Sequence, residues 1–356
     1  MAEEPIFAQY AKDNMKKIKI ILIIVIILVI AGFLFWKLGN RKIDIGNNGQ
    51  NNNQQENKNG ISPITGLKCD RYNRRPIAVM LATDPETRPL SGISQADIVI
   101  EMPVITGSIT RLMAVYGCET PDEIGSVRSA RHDYIPIALG LDVIYAHWGG
   151  SHFAYDQLNK GIIDNIDAMK NPYNAYWQKS GIPMPHNGFS SLERLINAVE
   201  KLNYRMENKF TGYLHLKKSE SKIQTNGKLV IGYGGHFKVY YDYDKEDNIY
   251  RRWRDNQREI DKNNGNQAEA SVIVVMRTDS RMIEPPDYNE VDVEGEGEAI
   301  VYQNGEEIKG FWKKEGTYSK SKPTFLDSKG KEIEFAPGKI WIEIVEPSTE
   351  VKWEVF

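Results

Sequence analysis

The length and composition of this chain exclude some architectures and partners. At 356 residues it exceeds the roughly 100 to 200 residues of a typical domain, so about two domains are expected. Its 45 Lys and Arg residues nearly balance its 48 Asp and Glu residues, and the net charge of −3 excludes a general electrostatic attraction to nucleic acid. With 41% hydrophobic and 26% charged residues, the composition is that of a globular protein.

The amino-terminal part contains an uncharged apolar segment, residues 20–36, between Lys19 and Lys37. As a helix it would be about 26 Å long, close to the hydrocarbon core of a bilayer at about 30 Å. No signal-peptide cleavage site follows it, and we therefore predict an uncleaved signal anchor. Residues 1–19 are predicted to be cytoplasmic, since four lysines precede the segment and three basic residues follow it.

The segment after the anchor, residues 37–60, has the composition of a disordered tether. Its run GNNGQNNNQQENKNG offers no apolar side chain to a core. We therefore predict a single-pass cell-membrane protein, anchored in the lipid bilayer through residues 20–36, with extracytoplasmic folded domains. The chain's two cysteines, Cys69 and Cys118, lie beyond the tether, and the sequence leaves their redox state open.

Residues 61–205 alternate strand-like and helix-like patterns, which predicts an α/β or α+β domain. A helix is predicted in SSLERLINAVEKL, where Ser190 and Glu193 fit a capping box and apolar residues recur along one face. A shorter helix or turn is predicted at residues 133–140. The predicted strands are residues 76–82, 96–104, 110–117 and 141–148.

Residues 226–356 show short segments of alternating polarity between turn residues, which predicts a mainly antiparallel β domain. Asn304 and Gly305 form a strong two-residue hairpin signal. The polar stretch before residue 226 lacks periodicity and is predicted to separate the two domains. The predicted strands are residues 238–243, 249–253, 271–276, 298–303, 307–312 and 339–345.

Three arginines of the first domain are candidates for an anion site. Arg128 and Arg131 lie three residues apart in SVRSARHDY, and Arg111 begins an earlier strand. Guanidinium groups at this spacing can converge on one anion, most readily where a helix begins. The alternative is internal pairing, and the sequence leaves both open. The carboxylates that could pair with the arginines are Asp97, Glu101, Asp133 and Asp142.

The segment HWGGSHFAYD follows a predicted strand and offers groups for catalysis and binding. His147 and Ser151 could serve acid–base or nucleophilic roles. Gly149 and Gly150 permit either a close backbone approach to a ligand or a tight turn. The serine lacks the glycine pattern of a nucleophile elbow, and the histidines show no metal-ligand spacing, so no metal and no cofactor are predicted.

The loop PMPHNGF places His186 and Asn187 before the capped helix. Polar residues in a loop constrained by prolines are often functional, but Asn187 could instead help the chain to enter the helix. We include both residues among the ligand-binding candidates.

These motifs resemble, in order, those of the YerB-like lipoprotein family. The similar segments include SPITGL (62–67), RPLSGISQADIVIE (88–101), IGSVRSAR (124–131), YAHWGGS (145–151) and PHN (185–187). The resemblance implies an envelope protein of mainly Gram-positive bacteria, with an α/β domain and a smaller second domain of unassigned activity. No cysteine follows the apolar segment here, so a transmembrane helix would replace the lipid anchor of the family.

A more distant similarity connects the first domain with the LytR-CpsA-Psr phosphotransferases. In that family an Asp, an Arg-Asp pair and a Gly-Gly loop surround a polyprenyl-pyrophosphate glycan. The corresponding positions would be Asp97, Arg128 or Arg131, and Gly149 with Gly150. The chain lacks the Pro-Arg-Asp sequence of that family, so we use the similarity as an analogy.

Two hypotheses follow. The first is an envelope protein that binds a cell-wall glycan or a lipid-linked anionic ligand through Arg111, Arg128 and Arg131, with or without phosphoryl-transfer chemistry at Asp97, His147 and Ser151. The second is a non-catalytic scaffold or protein-binding module of the envelope. Whether the protein is an enzyme is left open.

Overall fold

A computed structural model describes residues 60–316 and 318–356. The predicted cytoplasmic end, the anchor and nearly all of the predicted tether lie outside these residues. Within the described part of the chain, we find no helix with the length and apolar character needed to cross a membrane.

The first region contributes eight described strands, most of them short. β1 to β3 and β5 coincide with the strands expected from the sequence. In chain order the strands are β1 (Ile77–Leu81), β2 (Ile98–Pro103), β3 (Thr110–Tyr116), β4 (Ile124–Gly125), β5 (Ile144–His147), β6 (Asn165–Asp167), β7 (Tyr176–Gln178) and β8 (Gly188–Ser190).

The second region is built from strands and includes all six that the sequence predicts. The hairpin at Asn304 and Gly305 joins two of them, β17 and β18, with φ angles of 55° and 77° at the two turn residues. The strands are β9 (Gly227–Ile231), β10 (Val239–Asp244), β11 (Ile249–Arg254), β12 (Gln257–Arg258), β13 (Glu269–Ala270), β14 (Val272–Arg277), β15 (Ser280–Glu284), β16 (Tyr288–Val291), β17 (Gly295–Gln303), β18 (Glu306–Lys314), β19 (Thr324–Asp327), β20 (Ile340–Val345) and β21 (Val351–Val355).

The α-helices of the described residues all lie in the first region, and one 3-10 turn lies in the second. They are α1 (Tyr134–Gly140), α2 (His152–Leu158) and α3 (Leu192–Lys201), with short 3-10 turns at Pro85–Thr87, Ile93–Gln95, Pro172–Asn174 and Gly235–Phe237. The fold is therefore mostly β with few helices, and the predicted α/β or α+β description overstates the helical share of the first region.

The predicted capping box of α3 is wrong by one residue. Ser190 ends β8, and its hydroxyl donates to the Ala175 carbonyl at 2.7 Å. The N-cap is Ser191, whose Oγ accepts the N–H of Arg194 at 3.2 Å. Because Arg194 and not Glu193 lies three residues after the cap, the reciprocal bond of a capping box does not form.

One ten-stranded sheet contains strands of both regions, in the order β19-β18-β17-β14-β20-β2-β3-β1-β5-β6. β20 connects the regions, because it pairs in parallel with β14 on one side and with β2 on the other. The second region is thus mainly antiparallel, as predicted, except at β20. A second sheet has the order β12-β11-β10-β9-β21, and β13 pairs with β11.

Both faces of the large sheet are buried at its central strands β20, β2, β3, β1 and β5. In β1, Ala78 and Met80 belong to a core that includes residues of α1 and α2, whereas Val79 and Leu81 belong to a core that includes residues of α3 and the second sheet. These central strands are accordingly rich in apolar residues, as expected for strands covered on both sides.

A cluster of buried charges joins the two sheets. Glu101 of β2 and Glu343 of β20 are register partners, and neither is exposed to solvent. From β11, Arg252 forms ion pairs with both of them and with Glu259, and Arg254 pairs with Glu101 and Glu259. Burial opposes ionisation of Glu259, but the charges of Arg254 and Arg252 lower its pKa to about 2.

Cys69 and Cys118 form a disulfide with a Cα–Cα distance of 5.7 Å. It ties the segment before β1 to the segment after β3 and encloses a separation of 49 residues in the sequence. The redox state that the sequence left open is therefore the oxidised one in this structure.

Candidate anion-binding site

The segment 126–131 lies at the carboxyl ends of the parallel strands β1 and β5. The N–H of Arg128 donates to the Met80 carbonyl at 2.8 Å, and the N–H of Trp148 donates to the Arg128 carbonyl at 2.9 Å. These bonds hold the segment between the two strand ends, before α1 begins at Tyr134. The arginines therefore do not begin a helix, but they occupy the edge of the sheet where ligands commonly bind in folds with parallel strands.

The glycine pair packs against the same segment. The N–H of Ala130 donates to the Gly149 carbonyl at 2.9 Å, and a side-chain carbon built at Gly150 would lie 3.4 Å from Ala130. Gly149 has φ of +67°, which few other residues adopt readily. The observed role of these glycines is a tight turn that lets the loop after β5 approach the arginine segment.

The structure brings Arg111, Arg128 and Arg131 together without an acidic partner. Arg111 is almost completely buried, and the other two are half-buried. Among the described residues, no carboxylate lies within 4.0 Å of any of the three guanidinium groups. The Nε atom of each arginine is buried and has no hydrogen-bond partner in the described part of the chain.

The side-chain hydrogen bonds of the arginines end on carbonyl groups or a histidine, and those of Arg111 and Arg128 are longer than the usual range of about 2.7–3.2 Å. Arg111 donates to the Ser129 carbonyl at 3.3 Å, and Arg131 donates to the preceding carbonyl at 3.1 Å. Arg128 Nη1 lies 3.4 Å from the Pro185 carbonyl and from His186 Nδ1. Most of the donors of this cluster therefore remain available.

The four carboxylates that could have paired with the arginines have other partners. Asp97 accepts backbone N–H groups at 2.6 and 2.9 Å, and Glu101 belongs to the buried cluster between the sheets. Asp133 lies 3.1 Å from His132, and Asp142 pairs with arginines elsewhere in the first region. Within the described part of the chain, no carboxylate forms an ion pair with the arginine cluster, although the charge of Asp84 acts to raise the pKa of Arg111.

The three positively charged guanidinium groups repel one another, and this repulsion is energetically unfavourable. Burial, and then the charges of Arg131 and Arg128, lower the pKa of Arg111 to about 9, while Asp84 acts in the opposite direction. Burial also lowers the pKa of Arg131. The Arg131 guanidinium lies over the Tyr288 ring, 5.5 Å from its centroid. An anion between the guanidinium groups would remove the repulsion.

The three residues considered for catalysis have structural hydrogen bonds. His147 is unexposed, with Nδ1 2.8 Å from the Gly149 carbonyl and Nε2 3.3 Å from Asn165 Oδ1, and burial lowers its pKa. Ser151 is the N-cap of α2 and accepts the Ala154 N–H at 3.1 Å. Both side chains therefore use their polar atoms inside the protein.

Asp97 is not brought to the arginines. It precedes β2, whereas Arg111 is the register partner of Met102 near the other end of that strand. Asp97 and Met102 are five residues apart in extended chain, which places Asp97 about 16 Å along the strand from the level of Arg111. Burial raises the pKa of Asp97, and backbone N–H groups of Gly117 and Cys118 oppose the increase.

The loop with His186 and Asn187 does reach the cluster, through the contact of His186 with Arg128. Asn187 is half-buried, and its carbonyl accepts the Lys179 N–H at 2.9 Å. Sequence reasoning missed Tyr288, which comes from the second region. Its contact with Arg131 depends on long-range packing and leaves no local signal in the sequence.

Comparison with known proteins identifies the family. Residues 64–205 match the N-terminal domain of the DUF3048 family, described as a protein of unknown function, and residues 229–342 match its C-terminal domain. The chain therefore belongs to this family.

A relative from Bacillus subtilis (strain 168), named "Putative lipoprotein YerB", is 30% identical over 289 residues, which cover 80% of this chain and 86% of the relative. The crystal structure of the Bacillus subtilis YerB protein matches with a TM-score of 0.74 at 30% identity, over 82% of this chain and 99% of that one. The resemblance to the YerB-like lipoproteins is confirmed.

Proposed function

We propose that this chain is an extracytoplasmic envelope protein that binds a phosphate-bearing anionic ligand of the cell wall at Arg111, Arg128 and Arg131. The observation that carries the proposal is the convergence of three arginines with buried, unpaired Nε atoms and no acidic partner among the described residues. Burying an unpaired charge costs several kcal/mol, so such a cluster is expected where a ligand supplies the counter-charge.

The other well-buried arginines of the described chain support this interpretation by contrast. Arg75 pairs with Asp164, and Arg252 and Arg254 each pair with two or more glutamates. The fold therefore supplies carboxylates where an arginine is structural. A planar guanidinium can contact two oxygens of one oxyanion, so three guanidinium groups favour a multiply charged ligand such as a phosphate or pyrophosphate group.

The proposal concerns binding and includes no catalytic step. His147 and Ser151 use their polar atoms in hydrogen bonds that shape the loop after β5, and this favours a binding module over a phosphotransferase.

Binding can be tested by calorimetric titration of the full-length protein in detergent micelles with pyrophosphate. We expect binding by the unaltered protein and a loss of about tenfold or more in Arg111→Gln, because one charged hydrogen-bond donor group is removed. Arg251→Gln is the matched control, since Arg251 forms exposed ion pairs on the second sheet. Absence of binding, or equal affinity in Arg111→Gln, would refute the proposal.

Three observations support the extracytoplasmic location. The apolar segment 20–36 has the pattern of a signal anchor, the relative carries the name of a lipoprotein, and the Cys69–Cys118 disulfide suits an oxidising compartment.

Protease added to intact protoplasts should release a fragment that begins within residues 37–60, because the predicted tether lies outside the cell. A cytoplasmic protein detected in the same sample serves as the control for membrane integrity. If the chain is cleaved only after lysis, the predicted orientation is wrong.

A further inference from the structure

A groove lies beside the arginine cluster, between α2 and the β15–β16 hairpin. Its volume is about 480 Å³, within the usual range of small-molecule sites. Its lining includes His132, Phe153, Asp156, Gln157, Lys160 and Glu290. The proposed anion site does not use any of these residues.

Two residues that line the groove have buried polar atoms without a hydrogen-bond partner among the described residues. His132 is 7% exposed, and its Nε2 lies 3.1 Å from Asp133 Oδ1, but its Nδ1 has no partner among the described residues. Gln157 Oε1 is likewise buried and unpaired. Unpaired buried polar atoms are rare in native proteins, and here two of them belong to residues of one groove.

The chemistry of the lining indicates the kind of group that would fit. A hydroxyl group both donates and accepts hydrogen bonds, so it can pair with Gln157 Oε1 and with His132 Nδ1 in either tautomer. Phe153 adds a half-buried aromatic surface, which suits the apolar C–H face of a sugar ring. Asp156 and Lys160 balance each other in charge, and Glu290 is paired with Arg281, so the lining has no excess positive charge that would favour a second anion.

The groove adjoins the arginine cluster. His132 follows Arg131 in the chain, and the Tyr288 ring contacts both sites: Arg131 lies over its face, and Phe153 meets it edge-on with centroids 5.9 Å apart. The arginine cluster and the groove are therefore neighbours in the fold, on either side of the contacts made by Tyr288.

We propose that this groove binds a saccharide group that is covalently joined to the phosphate held by Arg111, Arg128 and Arg131. The inference rests on the proposed function and specifies its ligand as a sugar phosphate. Recognition would divide between the arginines, which bind the charge, and the groove, which binds the hydroxyl groups.

The test compares the affinities of the full-length protein, in detergent micelles, for inorganic phosphate and for glucose 1-phosphate. We expect glucose 1-phosphate to bind about tenfold more tightly or better, since it adds several hydrogen bonds. His132→Phe and Gln157→Leu should each remove most of this difference and leave the affinity for phosphate unchanged. Gln257→Leu, at an exposed position of β12, is the control and should change neither affinity.

The outcomes separate the two proposals. Equal affinities for the two probes, or a preference that both groove variants retain, would overturn the saccharide groove while leaving the anion site intact. Failure of both probes to bind would refute the anion site itself. Gln157→Leu alters a partly exposed helix residue, so it keeps the test informative if His132→Phe does not fold.

Discussion

Arg128→Gln and Arg131→Gln should each leave the melting temperature unchanged or raise it slightly, while they reduce affinity for pyrophosphate by about 10- to 100-fold. Neither substitution removes the partner of a buried carboxylate, because no acidic group of the described chain lies within 4.0 Å of either guanidinium. Both substitutions relieve repulsion, since each charge lowers the pKa of Arg111. Thermal melts and titrations of the same preparations measure the two effects.

The melt in the presence of ligand gives a second readout. Saturating pyrophosphate should raise the melting temperature of the unaltered protein, because a ligand that binds only the folded state stabilises it. The increase should shrink in both variants. Large losses of stability at both positions without ligand would contradict the interpretation, since they would indicate that the arginines are structural.

Sequence reasoning located the arginine cluster but did not decide how it is used. Arg128, Arg131, Gly149 and Gly150 lie in short motifs at strand ends, which are local features of the chain. The partners of Glu101 are not local, because Arg252 lies 151 residues further along. Glu101 is unavailable to the arginine cluster because it pairs with Arg252 of the second sheet. No sequence pattern in the first region indicates this contact.

The same distinction explains the successes and failures for the fold. Alternating polarity and turn residues predicted the strands of the second region, because both depend on neighbouring residues. The placement of β20 between β14 and β2 is a parallel pairing of distant segments, and parallel register has no local turn that encodes it. Two predicted domains therefore share one sheet, which the sequence did not indicate.

The catalytic candidates illustrate a further limit of sequence reasoning. His147 and Ser151 have side chains that could perform chemistry, yet the structure gives one of them two internal hydrogen bonds and makes the other a helix cap. His132 lies in the same SVRSARHDY segment as Arg128 and Arg131, but its spacing from other residues predicts no role for it. Its Nδ1 is buried without a partner among the described residues, in a groove lined by residues of both regions, and such long-range packing cannot be predicted from the local sequence.

Arg252→Gln should lower the free energy of unfolding by about 3 to 5 kcal/mol, because breaking a buried ion pair leaves an uncompensated charge. Arg252 is fully buried and pairs with Glu101, Glu259 and Glu343. Glu343 depends on it most, since burial raises the pKa of Glu343 and the charge of Arg252 is the main opposing influence. Urea unfolding of the full-length protein in detergent measures the loss.

The neighbouring residue provides a matched control in the same strand. Arg251 is half-buried and forms partly exposed ion pairs with Asp244 and Asp247, so Arg251→Gln should lower the free energy of unfolding by no more than about 1 kcal/mol. Both variants replace an arginine with glutamine. The two positions differ in the burial of the arginine and in its ion-pair partners. If both variants lower the free energy of unfolding equally, the buried cluster between the sheets stabilises the fold no more than a surface ion pair does. A loss confined to Arg252→Gln would support the contrast on which the anion site rests, because in this fold a structural arginine is one that the chain itself neutralises.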